Sequence, residues 1–309
     1  MTHATVASLF AGVPLALSRS HGAALLQTPL PAAAGAGGAA RVLSVGAMSL
    51  SMEPGERYAI HRNIAIVPIT GLLTPNAYML ERWLGWSTYH GLEATMAELA
   101  MNEDVAAIVP IIDSPGGYVL GIEAAAGAVA RAAAVKPVHA LVHPLAASAA
   151  YYITSQASDI TLTPGSVVGS IGCMQMTWAP VQPGMSGDQY FIFTSSQARA
   201  KRPDPSTEEG RRESLRVLDA MEADFHAAVA AGRGIAPADL AARLSASDDP
   251  ADGGAIFWGQ DAAARGLVDR LETAQAFWSR IGAAYAPRPR PASRSARAQA
   301  EAAQALASL

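Results

Sequence analysis

Runs of unbroken apolar residues constrain this chain most: Ile64 to Ile69 (IAIVPI), Val105 to Ile112 (VAAIVPII) and Pro137 to Val142. A strand with no polar face must be covered on both sides. Segments of helical character separate these runs. His90 to Met101 places Leu92, Met96 and Leu99 at helical spacing, residues 120–134 are alanine-rich, and Ala146 to Gln156 follows the third run. Ile160 to Leu162 reads as a short fourth strand, and a long helix is expected from about Thr207 to Arg233. Strand–helix–strand order with buried strands predicts an α/β fold, a parallel sheet with helices on both faces. Sites in such sheets form where loops leave the carboxyl ends of the strands. That directs attention to Asp113–Tyr118, His143–Ser148 and Thr163–Gly172.

The first loop reads DSPGGY. Pro115 stiffens it, and Gly116 and Gly117 permit positive φ and close approach of other backbone. Bare N–H groups beyond a buried strand suit an oxyanion hole, although two glycines also make an ordinary strand–helix turn. The second loop, HPLAASAAYYI, puts Ser148 at the start of a helix. A serine there commonly caps the helix. Its other reading is a nucleophile lifted into a site by the turn, with small neighbours at 146, 147, 149 and 150 admitting a substrate backbone. The third loop, PGSVVGSIG, alternates small residues with Val167, Val168 and Ile171, which suits a turn and a tightly packed strand.

Composition excludes several classes. The 309 residues carry a net charge of -4, which argues against nucleic acid as the main partner. The single cysteine, Cys173, rules out an internal disulfide framework and a cysteine-rich zinc site. No metal or cofactor is expected. Cys173 itself reads as a small buried hydrophobe. The apolar half of the composition owes much to alanine, and no stretch of 18 or more strongly apolar residues suggests a membrane span. Of 22 basic residues only Lys136 and Lys201 are lysines. Arginine serves almost everywhere else, and arginine cannot give up its proton as a buried lysine can. Lys136, ahead of Pro137, reads as a solvated turn residue.

The chain divides into an N-terminal segment and flexible linker (1–41), a main domain (42–280) and a basic tail (281–309). Val6 to Leu17 is a mildly apolar stretch that matches a leader only weakly, since Pro14 interrupts it and no Lys or Arg precedes it. Residues 27–41 are rich in Pro, Ala and Gly, and 287–299 in Pro, Arg and Ser.

Taken together, the order strand–DSPGG–helix–strand–AAS–helix–strand–GSIG resembles the protease IV/signal peptide peptidase A family of serine peptidases. The resemblance runs from about Ile64 to Leu271. It includes YHGLEATMAELAMNEDVAAIVPIIDSPGG and the closing FWGQDAAARGLVD, Phe257 to Asp269. It implies a Clp/crotonase-type fold and a serine endopeptidase with a Ser–Lys dyad. Ser148 then matches the nucleophile and Lys201, in QARAKRPDP, the general base. Gly116, Gly117 and Ala149 match the oxyanion-hole segment, and Ser170 matches a serine that orients the lysine. Arg199 and Arg202 beside Lys201 favour its neutral form, whereas Asp204 opposes it. His139 and His143 offer an alternative base, with Asp113 or Asp159 as orienter.

The opening ASLFAGVPLALSRSHGAALL is similar to that of the phage or prophage branch. That branch implies processing of capsid or scaffold proteins in head assembly, in the cytoplasm of a bacterial host. The resemblance also implies a homo-oligomer whose subunits complete one another's sites, acting on protein or peptide substrates, with portal, capsid or scaffold proteins as partners. Alternatives are a bacterial peptidase that degrades signal peptides, a non-catalytic assembly protein, and a crotonase-type acyl-thioester enzyme.

Overall fold

The computed structural model describes residues 5–10, 13–30, 41–46, 48–175, 194–195, 198, 200 and 203–285. In chain order a short 3-10 helix (Val6–Leu9) is followed by β1 (Leu15–Leu17), α1 (Arg19–Leu26), β2 (Arg41–Val45), β3 (Met48–Met52) and β4 (Ala59–His61). Next come β5 (Ile64–Leu73), α2 (Tyr78–Leu84), α3 (Tyr89–Met101), β6 (Ala107–Tyr118), α4 (Ile122–Val135) and β7 (His139–Ala147). The remainder are α5 (Ala149–Thr154), β8 (Asp159–Leu162), β9 (Val167–Gly169), α6 (Glu208–Arg233), α7 (Pro237–Leu244), β10 (Ile256–Trp258), α8 (Gly259–Ala264), β11 (Arg270–Leu271) and α9 (Ala274–Tyr285).

The centre of the sheet is parallel: β5 pairs β6, β6 pairs β7, and β7 pairs both β8 and β9. Antiparallel partners sit around it, β4 on β5, β10 on β9 and β1 on β6. The apolar runs alternate between two cores, as a sheet buried on both faces requires. Ala65, Val67, Ile69, Ile108 and Ile112 face a core built with α3, α4 and α5. Ile64, Ile66, Val109 and Ile111 face the other, closed by Phe277 and Ile281 of α9 and Val45 of β2. The expected parallel sheet with helices on both faces is what the chain forms.

Two strands run further than their apolar runs. β6 continues through DSPGGY to Tyr118, where a strand–helix turn was expected, because Gly116 and Gly117 pair with Leu72 and Leu73 of β5. A Cβ on Gly117 would lie 1.9 Å from the Leu73 carbonyl oxygen, so only glycine permits this approach. β7 continues to Ala147, which shortens the following helix to Ala149–Thr154. Its first half pairs with β8, His139 to Val142, and its second with β9, Leu145 to Ala147.

Strand β1 lies in a part of the chain where no strand was expected. It pairs with Gly116–Tyr118 of β6 in the register Leu15↔Tyr118, Ala16↔Gly117, Leu17↔Gly116. The long helix falls where expected: Thr207 caps α6 by accepting from the Gly210 N–H at 3.0 Å, and Gly234 ends it at positive φ. Lys136 is no solvated turn residue. Its ammonium donates to the carbonyls of Leu99, at 2.9 Å, and Asn102, tying down the end of α3.

Candidate functional site

The parallel centre of the sheet ends at a junction between β6, β7 and β9. β7 stays beside β6 as far as the Ser114–Ala146 pair and beside β9 as far as Ala147–Gly169, then turns away at Ser148. The turn is sharp. Ser148 adopts φ 55° and ψ -122°, a region that a residue with a Cβ enters at a cost of roughly 1–3 kcal/mol. Its backbone holds it there, the N–H donating to the Gly169 carbonyl at 2.7 Å and the carbonyl accepting from the Tyr152 N–H at 2.9 Å. Ser148 starts α5 but does not cap it by its side chain. The hydroxyl is buried and has no hydrogen-bond partner among the described residues. Burying a polar atom without a partner costs about 1–3 kcal/mol, so a serine kept this way serves something other than stability.

The glycines expected at the site are brought to it. The position a Cβ would take on Gly116, whose φ is 101°, lies 2.9 Å from the Ala149 nitrogen and 3.0 Å from the Ala147 oxygen. Ser114 fixes this bend: its hydroxyl donates to the Gly71 carbonyl at 2.6 Å and accepts from the Gly116 N–H at 3.2 Å. The Gly116 N–H is thereby used internally, and the glycine's contribution is space. The Ala149 N–H is the first of α5, where an amide has no partner within its helix. Ser170 follows β9 at φ 54°, with its N–H donating to the Ala255 carbonyl at 2.6 Å. Lys201 lies outside the described residues, as do Arg199 and Arg202.

His139 lies away from Ser148. His139 begins β7, at the opposite end of that strand from Ser148, and is bound on both ring nitrogens, Nδ1 by Asp159 and Nε2 by the Tyr285 hydroxyl at 2.8 Å. Burial alone would raise the Asp159 carboxyl. The hydrogen bond and charge of His139, with Arg270 and Arg280, outweigh it and hold that carboxyl below the usual carboxylate range. His143 Nδ1 meets the Thr163 hydroxyl at 2.9 Å. Asp113 sits near enough to feel the charge of His143, although burial dominates and pushes its carboxyl up. Asp159 thus orients His139 within a structural cluster rather than toward Ser148.

Cys173 packs against the larger core, and its thiol is pushed up to about 12, by burial first and then by the carboxylates of Glu222 and Asp224. A thiol held so far from ionisation is no nucleophile at neutral pH. A cavity of about 530 Å³ opens beside it, with Ala16, Ile122, Tyr152, Cys173 and Phe225 in its wall. No group of three or more His, Cys, Asp or Glu that could hold a metal occurs among the described residues. No helix among them is long and apolar enough to cross a membrane.

A mostly parallel sheet that delivers a serine at a strained strand-to-helix turn, with the first amide N–H of a helix next to it, defines an α/β protein built around a serine elbow. Residues 130–284, half of the chain, match Peptidase family S49, and the chain belongs to that family. It is 28% identical over 217 residues to the capsid assembly protease C of Escherichia phage lambda, covering 69% of this chain and 47% of that protein. It is 27% identical over 230 residues to the head-tail preconnector protein GP5 of Enterobacteria phage P21, covering 74% of this chain and 44% of that one. The chain therefore spans about half the length of the curated relatives it matches. Among solved structures, an enoyl-CoA hydratase/isomerase family member aligns over 74% of this chain and 73% of its own, at 17% identity and a TM-score of 0.40.

Proposed function

We propose that this chain is a serine endopeptidase that processes capsid or scaffold proteins during phage head assembly. The observation that carries the reading is Ser148: buried, at positive φ, with a hydroxyl that bonds to none of the described residues. Membership of Peptidase family S49 and likeness to a phage capsid assembly protease support the reaction class and the kind of substrate. In this reading the Ser148 oxygen attacks the carbonyl carbon of the scissile bond as its proton passes to the neutral amine of Lys201. The Ala149 N–H and an N–H of the Gly116–Gly117 segment receive the negative oxygen, and Ser170 orients the lysine. Protonated Lys201 then gives its proton to the leaving amine, and a water activated by the same amine hydrolyses the acyl-serine. The enzyme works as a homo-oligomer in the cytoplasm of the bacterial host.

The test is cleavage of a co-expressed capsid or scaffold protein by the full chain and by variants. Ser148→Ala abolishes processing while leaving the fold intact. Lys201→Arg keeps the charge but cannot accept a proton, so the rate falls by about 10²–10⁴-fold. Normal processing by Ser148→Ala overturns the assignment. Normal processing by Lys201→Arg moves the base elsewhere.

A further inference from the structure

The strand β1 has no part in the chemistry just described, yet it lies at the centre of the site. It is bonded on both sides. Toward β6, the Ser18 N–H donates to the Pro115 carbonyl at 2.8 Å and the Val119 N–H to the Pro14 carbonyl at 3.3 Å. On its other side Leu15 and Met174 exchange a pair of backbone bonds, each 2.8 Å. The place it fills is the one β7 vacates: β7 lies beside β6 up to Ser114, and from Gly116 onward β1 takes over. Ser148 is the residue at which the exchange happens.

Its register puts one carbonyl in a telling position. Bonds at Pro115–Ser18 and Pro14–Val119 flank the Ala16–Gly117 pair, which makes that pair the hydrogen-bonded one in the antiparallel alternation. The Ala16 oxygen lies 2.2 Å from the Cβ position of Gly116, the same point that is 2.9 Å from the Ala149 nitrogen. The Ala16 carbonyl therefore sits among the amides beside Ser148, where the carbonyl of a peptide under attack belongs. Leu15 and Leu17 pack into an apolar cluster with Leu72, Leu80 and Trp86, whereas Ala16 faces the opposite way, into the wall of the cavity beside Tyr152 and Cys173. Ser148 and Ala16 are each 1% exposed, so no second peptide reaches the serine while β1 is in place.

We propose that Pro14–Ser18 is an internal pseudosubstrate strand: it occupies the peptide groove of this chain and must leave before a substrate enters. The inference rests on the peptidase reading of Ser148 for its consequence, but not for its geometry. The groove takes an extended peptide with a small residue facing the Tyr152–Cys173 cavity and large apolar residues on either side of it.

The experiment compares full-length chains. In the opened variant, Leu15→Asp with Leu17→Asp, two carboxylates enter the apolar cluster and expel the strand. In the locked variant, Leu15→Cys with Tyr118→Cys on a Cys173→Ser background, a cystine forms across a non-hydrogen-bonded pair, where strands approach most closely. Its reduced form is its own control for folding. Two probes are read: labelling of Ser148 by a fluorophosphonate, and binding of a fluorescent peptide of residues 13–19 in a Ser148→Ala background. Labelling is expected to rise at least tenfold on opening and to fall at least tenfold when the lock is oxidised, and the peptide is expected to bind the opened chain alone. If the peptide binds only the opened chain while no form is labelled, the pseudosubstrate strand stands and the peptidase reading falls. Measurable labelling that is equal in the oxidised and reduced locked chain overturns the proposal whatever the opened variant does. An opened chain that neither binds the peptide nor labels faster than wild type overturns it as well.

Discussion

Ser148 and Ser170 are the residues immediately beyond the Ala147–Gly169 pair that ends β7 and β9, and both hold positive φ, 55° and 54°. Two parallel strands thus leave the sheet side by side, each through a serine that strains its backbone. Both N–H groups are pinned, to Gly169 and Ala255 respectively, so the strain is imposed by the sheet edge rather than by the serines.

Replacing Ser148 by glycine separates strain from chemistry. Ser148→Gly removes the Cβ that makes positive φ costly, and the fold is expected to gain about 1 kcal/mol while processing disappears. Thermal unfolding checks the first part and substrate cleavage the second. A lowered melting temperature would mean that the turn carries no strain.

Gly117 tolerates no side chain. Gly117→Ala drives a methyl against the Leu73 carbonyl, and forcing β5 and β6 apart is expected to cost at least 1–3 kcal/mol, roughly the range for overpacking. Gly165→Ala is the control, since nothing lies within 4 Å of its Cβ position, although its φ of 80° carries its own penalty. Urea midpoints should rank wild type above Gly165→Ala, and Gly165→Ala above Gly117→Ala.

The His139–Asp159 cluster holds together the end of the sheet away from the site. Because the Asp159 carboxyl is depressed in the folded chain, its stabilisation is complete above its unfolded pKa near 4 and is lost as pH falls through the lower folded value. Asp159→Asn is expected to lose about 1–3 kcal/mol at pH 7, where it removes the negative charge that His139, Arg270 and Arg280 share. The gap between variant and wild type should narrow below pH 4. Denaturant titrations at pH 7 and pH 3 read both, and a gap that is constant with pH contradicts the ion pairing.

Cys173 should behave as an inert thiol. With its ionisation pushed to about 12, alkylation by iodoacetamide at pH 8 is expected to run at least tenfold slower than for a free cysteine, and to recover on denaturation. Mass spectrometry with and without urea follows this directly. Fast alkylation of the native chain would put Cys173 among the reactive groups.

The sheet, its helices and the serine turn were legible because buried parallel strands leave an unmistakable apolar run, and because Thr207 and Gly234 mark the ends of α6 chemically. What escaped has a common cause. The extension of β6 through Asp113–Tyr118 and the strand Leu15–Leu17 depend on each other, since a sequence of prolines and glycines becomes strand only when backbone on both sides accepts its hydrogen bonds. No periodicity in three residues announces such a pairing. Lys136 was misread for a similar reason: its partners, Leu99 and Asn102, are carbonyls more than thirty residues earlier, and carbonyls leave no mark in a sequence.

The position of β1 in the chain has a consequence for assembly of the fold. Its partners at Gly116–Tyr118 and Met174 are made roughly 100 and 160 residues after it, so β1, made before them, is among the last strands able to join the sheet. Contacts that close so late rest on a nearly finished body and open without disturbing it, as the least stable units of a domain do. Hydrogen exchange should therefore proceed at the Leu15 and Met174 amides well ahead of the β5–β6–β7 centre. A nascent chain passes through an open-grooved state before β1 docks.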